Sequence, residues 1–411
     1  MSEARLPAVR ESKKQPIRLV APRSRRQPEL DALRGLLLIG MTLTHLPTRA
    51  SYYTYQPLGF VAAAEGFILV SALLTGRIYG RLFETEGIRS VIQRLGQRAA
   101  KLYSYHLGLL AVAFTVVAAI AVKTRQPALQ GLVDFYLGHS ALAVCSSLLL
   151  VYCPPLLDIL PMYIVFLLLT PVALYVAKRW GWKYVLLPAV LVWVAAQFGL
   201  REAVYTHAVR WTGLYIPPQN LGAFNLYAWQ LLWIGGMWMG TGLPERMAKR
   251  LTARPAVILS LLVAIAFFVM RYHLLPYLAV HPVDQGTYWM LFDKWQLGPL
   301  RLLNFSALVV LVTAARPHLA RWLAAEPLVV LGQSSLEVFS VHLLFCFAAL
   351  AWVGDGAGAP FRDQLSIIVI TFTGLFALAY YLWQRKNATK AKTATPILLP
   401  SDDLRHLRDA A

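Results

Sequence analysis

An aspartate, an arginine and a histidine stand inside one apolar stretch, "LDALRGLLLIGMTLTHLP" (30–47). Arg34 and His45 are eleven residues apart, about 1100° of helical rotation and so only about 20° past three full turns. Their side chains share one stripe, ~16 Å apart along the axis, and Asp31 lies on the same side, one turn before the arginine. A guanidinium forks onto phosphate oxygens. An imidazole titrates near neutrality, where it can take a proton from a hydroxyl. A linear reactant anchored by anionic groups at Arg34 would reach His45 with an arm of that length, and the phosphopantetheine of coenzyme A is such an arm. The next apolar stretch, "AAAEGFILVSALLTG" (62–76), brings Glu65 to a similar depth. A carboxylate there must be paired or protonated, and one that fixes the tautomer of an imidazole is a known catalytic device. The same residues admit a plainer reading: Arg34 as a cytoplasmic-side anchor paired with Asp31, and Glu65 as a bridge from one span to a histidine or arginine of another.

The elements that must position these groups are set by composition. Hydrophobic residues make up 58% of the 411, charged residues only 14%, and the mean hydropathy is +0.54, far from the quarter of charged residues in a soluble domain. Many apolar runs approach the ~20 residues that cross a bilayer core as helix, and alternating barrel strands are absent. The expected fold is an all-α integral membrane protein of ten transmembrane helices with an additional short re-entrant or interfacial helix. The net charge of +19 sits in short segments between spans, the positive-inside pattern rather than a nucleic-acid surface.

The spans are expected near 30–47, 58–79, 102–122, 158–177, 183–199, 224–243, 255–272, 298–315, 330–352 and 365–384. Residues 139–153 are too short to cross comfortably. Leaving them uncrossed puts "KRWGWK" (178–183) and every later basic turn inside. Both termini are then cytoplasmic, with a flexible basic leader at 1–28, a membrane domain at 29–385 and a polar tail at 386–411. No cleavable signal peptide is expected before the first span. Residues 200–223 and 273–297 form the longer external loops, whose Tyr, Trp, Pro and Gln suit either sugar recognition or an interfacial aromatic belt.

The basic stretch after the second span carries Arg77, Arg81, Arg89, Arg94, Arg98 and Lys101. Its last four lie roughly on one helical face, able to cradle a nucleotide or to rest on the membrane surface. Asp158, Asn225, Gln230, Arg301, Glu337 and His342 are the other polar residues in apolar surroundings. The first three lie towards the outside, to touch an acceptor or brace the cavity. Glu337 and His342 stand about 140° apart on their helix and are not a local pair. His106, His139, His207, His273, His281 and His318 read as loop or interfacial residues. Cys145, Cys153 and Cys346 read as core thiols with no metal-ligand spacing, and no phosphate-binding loop, dinucleotide fingerprint or zinc motif is present.

The opening stretch, followed by "AAAEGFILVSALLTGRIYGR" (62–81), resembles the OpgC family, membrane proteins that succinylate osmoregulated periplasmic glucans, within a wider superfamily of polytopic acyltransferases. That superfamily shows an arginine, ten residues, then a histidine on the first span, as Arg34 and His45 do. "DILPMYIVFLLLTP" (158–171), "FNLYAWQLLWIGG" (224–236), "LGPLRLLNFSAL" (297–308) and "LGQSSLEVFSVHLL" (331–344) extend the resemblance over about residues 27 to 385. It departs at "LVSALLTG" (69–76), with alanine where the family has glycine.

The resemblance implies a bacterial inner-membrane O-acyltransferase with no tightly bound cofactor. Its donor would be cytosolic acyl-CoA, succinyl-CoA first, and its acceptor a periplasmic glucan; nucleic acid is not expected, and a homodimer is left open. His45 would be the general base and Glu65 its orienting carboxylate. Arg34, Arg77, Arg81, Arg94 and Arg98 would hold the donor, with Asp31, Asp158, Asn225, Gln230, Arg301, Glu337 and His342 lining substrate or cavity. The alternatives are an O-acetyltransferase of another envelope polysaccharide and, from a different class, a secondary transporter.

Overall fold

The computed structural model describes residues 27–274, 285–323 and 325–393. The expected leader up to residue 26, the end of the tail from 394, and His281 lie outside the described residues. Among them the secondary structure is helical, with a single isolated bridge between Leu58 and Val61. The helices are α1 (Pro28–His45), α2 (Ala50–Thr54), α3 (Ala63–Val112), α4 (Ala118–Thr124), α5 (Pro127–Gly138), α6 (Ser140–Leu148), α7 (Ile159–Trp180), α8 (Lys183–Gln197) and α9 (Leu200–Thr212). They continue as α10 (Leu226–Gly242), α11 (Glu245–Leu251), α12 (Arg254–Val269), α13 (Gln285–Phe292), α14 (Pro299–Leu323), α15 (Glu326–Gln333), α16 (Ser335–Val353) and α17 (Phe361–Thr393).

Six of these helical stretches are long and apolar enough to cross a membrane, or seven if the bent pair α8 and α9 makes one span. The expectation of ten differs for local reasons. Residues 63–124 form one uninterrupted run where the sequence suggests two spans. α1 carries three charged side chains in its 18 residues, and α10 is only 17 residues long. A straight 62-residue helix would reach roughly 93 Å, about three times the bilayer core, so the run has to bend. It does so at Gly87, whose φ of +83° and ψ of 177° lie outside helical space and suit a residue without Cβ. The basic stretch is therefore helical on both sides of the bend.

α6 has nine residues, about 13 Å of helix, too short to cross. Two boundaries move. Segment 200–223, expected as an external loop, contains α9, set at 80° to α8, and α17 runs past 385 to Thr393.

The core lies where α3 meets α7 and α10, around the fully buried Trp229 and Trp233. Each indole N–H is satisfied, Trp233 by the Thr170 hydroxyl at 3.0 Å and Trp229 by the Trp295 carbonyl at 3.1 Å, as buried indoles require. The second close crossing is α1 on α15. There a Cβ at Gly332 would overlap the Asp31 carbonyl, and one at Gly35 would overlap the Leu328 carbonyl. Glycine on both helices lets the backbones touch, and this crossing sets the height of Arg34 against the start of α16.

Candidate active site

α1 ends at His45 because Leu46 is extended (φ −69°, ψ 135°), the conformation imposed on a residue before proline. His45 is thus the last residue of the helix, held at its final turn. α16 lies beside α1 and meets it twice. Near the N-terminal end of α1, Arg34 donates to the Ser335 hydroxyl. At the other end, His45 Nδ1 lies 3.1 Å from His342 Nε2, the rings stacked at 17° with centroids 5.4 Å apart. The contacts are eleven residues apart on α1 and seven on α16, about 16 Å against about 10 Å.

The tautomers follow from the partners. His342 Nδ1 lies against the Phe339 carbonyl, which can only accept, so that nitrogen carries the proton. His342 Nε2 is then the acceptor for His45 Nδ1–H. The His45 Nε2 lone pair is left unprotonated, the form a general base needs. The sequence reading gives this orienting role to Glu65, whereas the structure places His342 at His45.

Glu65 is engaged elsewhere. It is fully buried and ion-paired with the equally buried Arg301, which reaches Oε1 through Nε and Nη2, while Oε2 accepts the Ala62 N–H at 3.1 Å. A glutamate three residues after the N-cap is half of a capping box, a local signal in "AAAEG" that a search for catalytic carboxylates passes over.

Two adjoining cavities of about 250 and 280 Å³ open on the side of Arg34. Arg34, Arg98, Gln333 and Lys386 line both. Arg77, Arg81 and Asp31 border the second, Lys101 and Glu337 the first. Six cations thus face two carboxylates, one of which, Glu337, is already paired with Lys101 at 2.7 Å. Two buried polar atoms at this cleft lack a protein partner, Arg34 Nε and the Ser71 hydroxyl. Phe67, Leu102, Leu160 and Phe339 form the apolar part of the first cavity's lining, and the Phe339 carbonyl is the group that holds His342. The histidines themselves do not line either cavity; Phe339 is the residue that joins the cleft to the pair.

The remaining expected residues separate. Arg94 is turned to Glu86 at 2.9 Å in an exposed pair and lines neither cavity, while Arg98 donates to the Tyr163 hydroxyl at 3.2 Å. Asp158 accepts the Ala223 N–H at 2.9 Å. Asn225 caps α10 through Tyr227 N–H and donates to Gln296, and Gln230 ties α10 to α8 through the Ala189 carbonyl at 2.7 Å. Asp158 and Asn225 thus brace loop segments, and Gln230 braces one helix against another. His106, expected at a loop or interface, is fully buried on α3, and Cys145, expected in the core, is exposed.

Sequence reasoning missed Ser335, Gln333, Lys386 and Lys294. Lys294 Nζ sits over the rings of Tyr55 (4.5 Å) and Trp295 (4.6 Å). A lysine in the expected external loop 273–297 runs against the positive-inside bias, and that was the available signal.

Apolar helices of membrane-crossing length, a basic cleft at Arg34 and a His45–His342 contact are features compatible with an acyltransferase-like membrane protein. The family model described as OpgC protein matches residues 26–387, nearly the whole chain. The protein belongs to the OpgC family. Comparison with characterised proteins and with solved structures gives no match.

Proposed function

We propose that this protein is an inner-membrane O-acyltransferase that moves a succinyl group from cytosolic acyl-CoA to hydroxyls of a periplasmic glucan. It would do so through ten crossings with both termini in the cytoplasm. The observation that carries the reading is the His45–His342 pair on the same two helices, α1 and α16, that border a basic cleft at Arg34 and Ser335. Nucleotide phosphates meet Arg34, Arg77, Arg81, Arg98 and Lys386, with Arg34 Nε and the Ser71 hydroxyl as donors still to be satisfied. The pantetheine arm passes Phe67 and Phe339, and its length brings the thioester to the histidines.

A glucan hydroxyl arrives from the opposite side and gives its proton to His45 Nε2 as its oxygen attacks the thioester carbonyl carbon. The carbon–sulfur bond breaks, and the sulfur leaves with the proton now on His45. The products are a glucan ester and free CoA thiol, and His45 returns to its neutral tautomer. His342 keeps Nδ1–H of His45 engaged throughout.

The test is thiol release by purified protein given succinyl-CoA with and without glucan. Release that depends on glucan supports the reading, and its absence with every acyl donor overturns it. A carrier would leave the thioester intact.

A further inference from the structure

Beside His45, the Thr44 hydroxyl donates to the Thr54 carbonyl at 3.1 Å, and Lys294 Nζ lies over the ring of the next residue, Tyr55, at 4.5 Å. The other charges acting on this Tyr55–Lys294 corner are two cations, Arg301 and Arg271, and three carboxylates, Glu65, Asp158 and Asp293. Every carboxylate is already committed: Glu65 to Arg301 and the Ala62 N–H, Asp158 to the Ala223 N–H, and Asp293 to the Gln296 N–H at 2.6 Å. Arg301 is matched by Glu65, and Arg271 lies over the Phe60 ring at 5.7 Å. Lys294 is half-buried between Tyr55 and Trp295, and no carboxylate among the described residues is within ion-pairing distance of it. Burial lowers its pKa from the ordinary lysine value, while Glu65 and Asp158 act on it only at a distance. An ammonium held in place by two rings and short of an anion is a receptor for one. The acceptor glucan brings only hydroxyls. The acyl group at His45 can bring a carboxylate.

We propose that Lys294 selects a carboxylate-bearing acyl group, its ammonium pairing with the distal carboxylate of a short dicarboxylic acyl chain while the thioester carbonyl lies at His45. The proposal rests on the acyl-transfer reading of the site. Tyr55 and Trp295 hold the ammonium, so they act as positioning residues for it. A lysine that served instead to stabilise the oxyanion of the tetrahedral intermediate would assist every acyl donor alike, and this difference separates the two roles.

The test compares kcat/KM for succinyl-CoA and acetyl-CoA in wild type, Lys294→Met and Lys294→Arg, each checked for a wild-type unfolding temperature in detergent. A charged hydrogen bond lost from one donor only should lower the succinyl-to-acetyl ratio roughly ten- to hundredfold in Lys294→Met, and Lys294→Arg should keep most of it. Equal losses for both donors, or an unchanged ratio, overturn the proposal. Should Lys294→Met fail to fold, the wild type decides: free succinate should inhibit acetyl transfer and butyrate should not, and equal inhibition by the two overturns it. If wild type releases thiol from neither donor, the acyl-transfer reading fails, and this assignment fails with it.

Discussion

His342→Phe keeps a flat ring of similar size in a fully buried site but removes the acceptor for His45 Nδ1–H. The carbonyl of Phe339 then loses its donor and His45 loses the bond that fixes its tautomer. Leaving a buried N–H unsatisfied costs about 1–3 kcal/mol, and each 1.36 kcal/mol is about tenfold in rate. The variant should therefore turn over roughly 5- to 150-fold more slowly, with acyl-CoA binding unchanged because Arg34 and the basic cleft are untouched. His45→Ala should cost more, about 10²–10⁴-fold, as for loss of a general base. The decisive variant is the double one. If His342 acts only through His45, His45→Ala with His342→Phe should be no slower than His45→Ala alone, because residues that act as a unit are not additive. The assay is initial-rate thiol release at saturating donor and glucan on protein of confirmed thermal stability. Multiplying losses, or wild-type turnover in His342→Phe, would refute the pairing.

Glu65→Gln strands the buried Arg301 charge and should destabilise the fold by about 3–5 kcal/mol, seen as a lower unfolding temperature; Glu65→Gln with Arg301→Met should recover most of it. A stable, inactive Glu65→Gln would return the carboxylate to the chemistry. Arg34→Ala should weaken acyl-CoA binding in a calorimetric titration while the protein stays folded, and Arg34→Lys should rescue it only in part, since a point charge lacks the guanidinium fork. Gly332→Ala pushes a Cβ into the Asp31 carbonyl and should lower both stability and donor affinity, because α1 and α15 must part. Burial pushes the Cys153 thiol up to about 12, so at pH 8 it holds almost no thiolate. The exposed Cys145 should react with a maleimide under native conditions and Cys153 only after unfolding; equal native rates would contradict the burial of Cys153.

How much of this was legible in the sequence depends on the range of each interaction. The shared stripe of Arg34 and His45 is a property of one helix and follows from their spacing. Glu65 was recognisable as a buried carboxylate in need of a partner, but Arg301 lies 236 residues away, and nothing local distinguishes it from His45 as that partner. His342 has the same history: its angle to Glu337 excluded a local pair, and the 297 residues between it and His45 hid the real one. The basic stretch from Arg89 to Lys101 reads as one helical face, but nothing local joins it to the spans on either side as one run bent at Gly87. Asp158, Asn225 and Gln230 were visible as polar residues in apolar surroundings, yet their bonds go to backbone and loop groups that only the folded chain brings near.

The central claim is that His45 is the base for transfer of an acyl group from CoA to a glucan hydroxyl. It is tested most directly by incubating folded wild type and His45→Gln with succinyl-CoA and purified glucan, then weighing the glucan by mass spectrometry as thiol is counted. The account predicts one ester per thiol released in wild type, and in His45→Gln a loss of both products together by about 10²–10⁴-fold with donor binding intact. Unmodified glucan in wild type, or near-wild-type ester formation in folded His45→Gln, would contradict it.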